Sequence, residues 1–208
     1  MNTVKENTLT VTTVELGALL EVLEGAATHA HKKTDLQVLN TVKLESAGDR
    51  FTAVATDRYR LIEGSIAGEG EQLPASLVSL EDIKRVISLL KGEGKRADKL
   101  PVSVSRVGDM LSVSVRGNAI TLELVAGTFP PVEQYLSPAG KPVASERIVF
   151  NPAYMADYSK IASRGSKSPV PVLVESYGDR KPMKIIFGEG AGKAVEWRAV
   201  LMPMTWKD

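Results

Sequence analysis

Residues 75–92 read ASLVSLEDIKRVISLLKG. The opening residues suit a short apolar strand, and Ser79 then stands three before Asp82, a spacing that caps a helix. Ile83, Val86, Ile87 and Leu90 follow at i, i+3, i+4 and i+7, the stripe of a helix that buries one face. The same strand, break and helix recur twice. LTVTTVELGALLEVLEG (9–25) carries the stripe as Leu16, Leu19, Leu20 and Leu23. ERIVFNPAYMADYSKIAS (146–163) carries it as Tyr154, Asp157, Tyr158 and Ile161, with Asn151 ahead of Pro152 as cap and first helical residue. Only Asp157 breaks the apolar pattern.

Alternating runs follow each helix and predict strands. The first set is QVLNTVKLES (37–46), DRFTAVATD (49–57) and YRLIEGSIA (59–67). The second is LPVSVSRV, MLSVSVRG and AITLELVAG; the third is PVPVLVESYG, PMKIIFGE and VEWRAVLMPM. Glycine and aspartate turns at 47–49, 108–109 and 178–179 separate them. The chain therefore predicts an α+β fold of three βαβββ units, each about 65–70 residues long, with helices on one face of antiparallel sheets. One helix on one small sheet cannot bury both faces, so units should pair, and the third has no mate within the chain.

Composition narrows the function classes. The 208 residues are 43% hydrophobic and 25% charged, an ordinary globular profile. With 26 Lys and Arg against 25 Asp and Glu, net charge argues neither for nor against nucleic acid. Cysteine is absent, which removes thiol chemistry and suits a reducing compartment. The N-terminus has no apolar leader core and no apolar run is long enough to span a bilayer, so a soluble, cytoplasmic protein is expected.

Catalytic equipment is sparse. FGEGAGK (187–193) resembles a phosphate loop, but the glycine spacing is one short and Ala194 stands where Ser or Thr would hold magnesium. It reads as a hairpin loop. His29 and His31 are the only histidines and read as a solvated helix end rather than a metal site. No serine elbow or telling carboxylate pair is present, so neither an enzyme nor a cofactor is expected. Basic residues cluster near each helix: Lys32 and Lys33; Lys84, Arg85 and Lys91; Lys160 and Arg164. Singly these read as solvated faces. In equivalent places of a repeat they suggest a strip that meets the phosphates of duplex DNA without reading sequence.

Four ordered stretches carry a family resemblance. ATDRYRL (55–61) resembles the "ATDG[HY]RL" strand junction of the bacterial DNA polymerase III β sliding clamps. GTFPPVEQYL (127–136) is similar to their "G-x-FP-x-x-x-x-L" segment, VFNPAY (149–154) to "G-F-N-x-x-Y", and AVLMPM (199–204) to the final "Y-V-V/L-MPM" strand. The resemblance implies a shortened, phage-type form: residues 1–138 as a clamp middle domain of two units, and 139–208 as half of the last domain. The clamp's first domain has no counterpart. It further implies a noncatalytic processivity factor that encircles or tracks DNA, with a DNA polymerase, other motif-bearing proteins and a clamp loader as partners. Family rings contain twelve units, so three per chain imply a homo-oligomer of four. A module that keeps the peptide groove without encircling DNA is the alternative.

The family's pocket for a Gln-hydrophobic-aromatic peptide lies between its middle and last domains. The resemblance carries it to Leu39, Thr56, Arg58, Arg60 and Leu61, to Pro130 and Tyr135, and to Asn151 and Tyr154. From the last strand it takes Val200, Leu201, Met202, Pro203 and Met204. Leu61 and the Met-rich strand would floor the groove, with Thr56 and Arg60 at its rim; the competing reading, less favoured, takes Met202 and Met204 as core. Three departures stand out: Arg58 for the family's Gly, Pro131 after Pro130, and Thr205-Trp206 for Arg-Leu.

Overall fold

The computed structural model describes residues 8–205 apart from 34, 95, 145–146, 164–169, 179 and 189–193. The first unit comprises β1 (Thr10–Glu15), α1 (Leu16–His29), β2 (Thr41–Ala47), β3 (Arg50–Thr56) and β4 (Arg60–Ala67). A two-residue strand, β5 (Glu69–Gly70), leads to the second unit: β6 (Ser76–Ser79), α2 (Leu80–Gly92), β7 (Pro101–Val107), β8 (Met110–Val115) and β9 (Asn118–Glu123). A one-turn helix, α3 (Glu133–Leu136), precedes the third: α4 (Pro152–Ala162), β10 (Val172–Glu175), β11 (Met183–Phe187) and β12 (Glu196–Leu201). The helices start where the caps foretold. Ser79 Oγ accepts from the Asp82 N–H, and Asn151 Oδ1 accepts from the Ala153 N–H.

The first two units exchange their opening strands. β1 pairs with β7, setting Val11 opposite Ser105, and β6 pairs with β2, setting Val78 opposite Val42. The result is a five-stranded sheet, β5-β1-β7-β8-β9, and a seven-stranded sheet, β10-β11-β12-β4-β3-β2-β6, antiparallel throughout. Both sheets and helices α1 and α2 share one core, in which Leu19, Leu23, Phe51, Ile83, Leu90 and Leu111 are closed to solvent. The Ser-Val alternation of β7 sends Val102 and Val104 into that core and leaves Ser103 and Ser105 on the other face. Exchange makes each unit finish the other's sheet, which is how one-faced burial is satisfied.

The third unit departs from the expected pattern. Ile148–Phe150, read as its opening strand, joins no ladder. The physical reason lies in the exchange: an opening strand pairs with the first strand after the helix of a partner unit, and the described residues hold no fourth unit. The third unit instead adds to the first through β12 and β4, in register from Glu196–Ser65 to Leu201–Arg60. Tyr158 on α4 seals this seam from below, its buried hydroxyl donating to the Val200 carbonyl at 2.8 Å. Trp197 seals it from the side, in a slot between α1 and β4. A Cβ at Gly25 or Gly64 would come within 2.3 and 2.5 Å of its ring, so both positions must be glycine.

Candidate functional site

ATDRYRL forms the hairpin between β3 and β4, with Thr56 opposite Leu61. Asp57 Oδ1 accepts from the N–H groups of Tyr59 and Arg60, both at 3.1 Å. Thr56 Oγ1 accepts from the Arg58 N–H and donates to the Arg60 carbonyl. This polar cap lets the chain reverse in two residues. It also forces Arg58 to φ 81°, a left-handed conformation costing a side-chain-bearing residue roughly 1–2 kcal/mol. The family's glycine at this place has no such cost.

Arg60 turns into the protein. Its Nε donates to Asp57 at 2.9 Å, one terminal nitrogen to Asp157 at 2.6 Å, and the other to the Thr28 carbonyl at 2.8 Å. The guanidinium carbon lies 4.5 Å from the centre of the Tyr154 ring. Burial opposes charge on both sides of this pair. Hydrogen bonds to Asp157 and Asp57 nevertheless raise Arg60, and those from Lys160 and Arg60 hold the Asp157 carboxyl below its ordinary value. Asp157, the residue that interrupts the apolar stripe of α4, is thus the docking partner of the hairpin.

Above this network, between β4, β12 and residues 127–136, lies an open groove of about 280 Å³. Leu39, Thr56, Arg58, Arg60, Leu61, Pro130, Tyr135, Val200 and Met202 line it, all among the residues the resemblance pointed to. Val200 stands opposite Leu61 in the ladder, and Val54 and Leu136 pack beneath them. Strand alternation divides the last segment: Val200 and Met202 face the groove, while Leu201 is buried on the other side with Ile62 and Tyr158. Asn151 caps α4, and Tyr154 stacks on Tyr59, 6.4 Å between centroids. Pro203 and Met204 run past the groove, and Met204 is 54% exposed, its N–H donating to the Val149 carbonyl. Two further residues line it that the sequence reading did not single out: Val132, within the 127–136 stretch, and Pro182, which tertiary structure alone brings to the groove.

Helices α2, α1 and α4 lie side by side. Lys91 of α2 pairs with Glu24 of α1 at 2.7 Å, and Arg60 links Asp157 of α4 to Thr28 of α1. The helix layer carries mixed charge rather than one positive strip. Arg85 pairs with Asp82 and Lys160 with Asp157. Lys32 donates to the Ala27 carbonyl near the end of α1. Lys33 and Lys84 form no ion pair among the described residues, and Arg164 lies outside them.

Among the described residues no group of three or more His, Cys, Asp or Glu could hold a metal, and no helix is long and apolar enough to cross a membrane. The two histidines part company. His31 meets Asp35 at 2.8 Å. His29, expected at a solvated helix end, is instead fully buried, with Nδ1 on the Gly25 carbonyl and its ring 4.8 Å from Tyr158. The third unit covers that helix end, which the local sequence does not reveal. Burial, reinforced by the Arg60 charge, lowers His29 to about 3.

No protein-family model matches the chain. The β sliding clamp of Micrococcus luteus is 28% identical over 131 residues, 63% of this chain and 42% of that protein. The chain thus spans about two fifths of the length of this curated relative. Among solved structures, a DNA polymerase sliding clamp from Caulobacter crescentus superposes with a TM-score of 0.76 at 14% identity, covering 99% of this chain and 68% of the clamp. The DNA polymerase III subunit β of Pseudomonas aeruginosa gives 0.75 at 16% identity, covering 99% and 69%. These likenesses establish the DNA-clamp fold. In sequence the chain is similar to the β sliding clamp of Micrococcus luteus over 63% of its length, and in fold it is similar to solved DNA polymerase sliding clamps.

Proposed function

We propose that this chain is a noncatalytic sliding clamp whose seam groove holds short apolar motifs of replication proteins. The observation that carries the reading is the groove itself. It is open, walled by Leu61, Val200 and Met202, and rimmed by the few polar groups of Thr56 and Arg58. Apolar anchors supply affinity, a few polar groups set register, and a flexible methionine admits more than one side chain. A Gln-hydrophobic-aromatic peptide suits that chemistry. A DNA polymerase and a clamp loader are the partners such motifs would bring. Met202→Asp puts a carboxylate into the groove, and fluorescence anisotropy of a labelled peptide should then show at least a tenfold weaker affinity, with the melting temperature little changed. Unchanged affinity would remove the groove from the account.

On this reading duplex DNA runs along the helix layer, held by enclosure in an oligomer more than by contacts. The mixed charge of α1, α2 and α4 also supports the alternative, a groove-bearing module that does not encircle DNA. Retention on closed circular DNA that is lost on linearisation supports the ring; equal behaviour of the two forms supports the module. Lys33→Glu with Lys84→Glu should weaken association with DNA and leave peptide affinity untouched.

A further inference from the structure

The complete pair of units shows what an opening strand requires on both sides. One side is taken by the chain leaving the unit's own third strand: the Glu71 N–H donates to the Val11 carbonyl and the Val125 N–H to the Leu77 carbonyl, both at 2.8 Å. The other side is taken by the first post-helix strand of the sister unit, β7 for β1 and β2 for β6. In the third unit the first contact is in place. The Met204 N–H donates to the Val149 carbonyl at 2.8 Å, and Val149 stands two residues before its helix cap, as Leu77 does. The second contact is missing from the chain's own ladders.

The complementary half is also exposed. β10 is the last strand of the seven-stranded sheet, and its sequence VLVES (172–176) matches VKLES (42–46) of β2, the strand that receives β6. The Pro171 carbonyl faces β11, where it accepts from Gly188, so by alternation the backbone groups of Val172 and Val174 face outward. The Val143 N–H donates to the Ser176 carbonyl; in the complete pair the Leu73 N–H donates to the Ser46 hydroxyl and the Leu73 carbonyl accepts from the Ser46 N–H. Around this edge Leu173 is 57% exposed and Ile148 39%. An open edge carrying apolar side chains is a template for another strand.

We propose that a second copy of this chain fills both vacancies across a two-fold axis. Ile148–Phe150 of each copy pairs antiparallel with β10 of the other, Phe150 opposite Val172 and Ile148 opposite Val174, repeating the Val78–Val42 and Ser76–Leu44 register. Two orphan units thus build one complete domain. The contact is isologous and self-limiting, so it yields dimers or multiples of dimers rather than open filaments. It is independent of whether the groove binds peptide.

The test uses the full chain, which lacks cysteine. Light scattering at micromolar concentration should give a dimer or a multiple of it. Val174→Pro removes an outward N–H at a sheet edge, where proline is tolerated, and should lower the mass to a monomer while peptide affinity stays unchanged. Mixing a chain bearing Ile148→Cys with one bearing Val174→Cys should give a cross-linked heterodimer under mild oxidation. A monomeric parent chain overturns the proposal, and so does an oligomer that neither Val174→Pro dissociates nor the cysteine pair links.

Discussion

The first two units and the third share one sequence pattern and meet different fates. The first pair exchanges opening strands and buries a continuous core from Val14 to Leu122, against which Val195 and Trp197 of the third unit pack. The third has a smaller cluster centred on Tyr158, Met183, Ile185 and Leu201, and it borrows a sheet edge from β4. Its attachment therefore relies on specific pieces: the Arg60 network, the Trp197 slot and the Tyr158 hydroxyl. A repeat can thus be regular in sequence while its stability is unequal, because burial depends on neighbours that a unit does not encode.

The most severe way to break this contrast is Arg60→Ala. It leaves Asp57 and Asp157 without their buried partner, which should cost about 3–5 kcal/mol. The loss should fall on the third unit, so amide exchange should rise in α4 and β10–β12 well before α1 or β7. Uniform loss of protection would mean that the two regions are not separable.

Acid should act at the same seam with a smaller effect. His29 is neutral in the fold and lowered to about 3, below its ordinary 6.5. Its contribution is complete above pH 6.5 and is lost as pH falls from there toward 3, because the unfolded chain binds the proton first. At pH 5 the loss is about 2 kcal/mol. His29→Phe should flatten the slope of stability between pH 6.5 and 5, measured by urea unfolding; an unaltered slope would place the acid sensitivity elsewhere.

The mildest change sharpens the comparison from the hairpin. Arg58→Gly relieves the left-handed strain at φ 81° and should stabilise the fold by about 1 kcal/mol. Thermal unfolding reads this directly. A lower midpoint would show that the Arg58 side chain contributes more than its backbone costs.

Much of this was legible in the chain. The strand-helix-strand periodicity located α1, α2 and α4 but not the one-turn α3, and the family resemblance pointed to nine residues that meet in one groove. Other features were not. Asp157 looked like a flaw in an apolar stripe until Arg60 appeared beside it, 97 positions earlier in the chain. His29 looked solvated because nothing nearby in sequence announces the α4 that covers it. Ile148–Phe150 has a strand's composition and forms none, since a ladder needs a partner.

Sequence alone determined the α+β class, the threefold repeat, the capped helix starts and the membership of most of the groove, because these follow from local periodicity and from motifs carried within a few residues. Tertiary structure decided which strands change sheets, where Arg60 spends its hydrogen bonds, and why β10 ends as an edge. Those outcomes depend on contacts between distant segments, whose burial and pairing no single stretch of chain can specify.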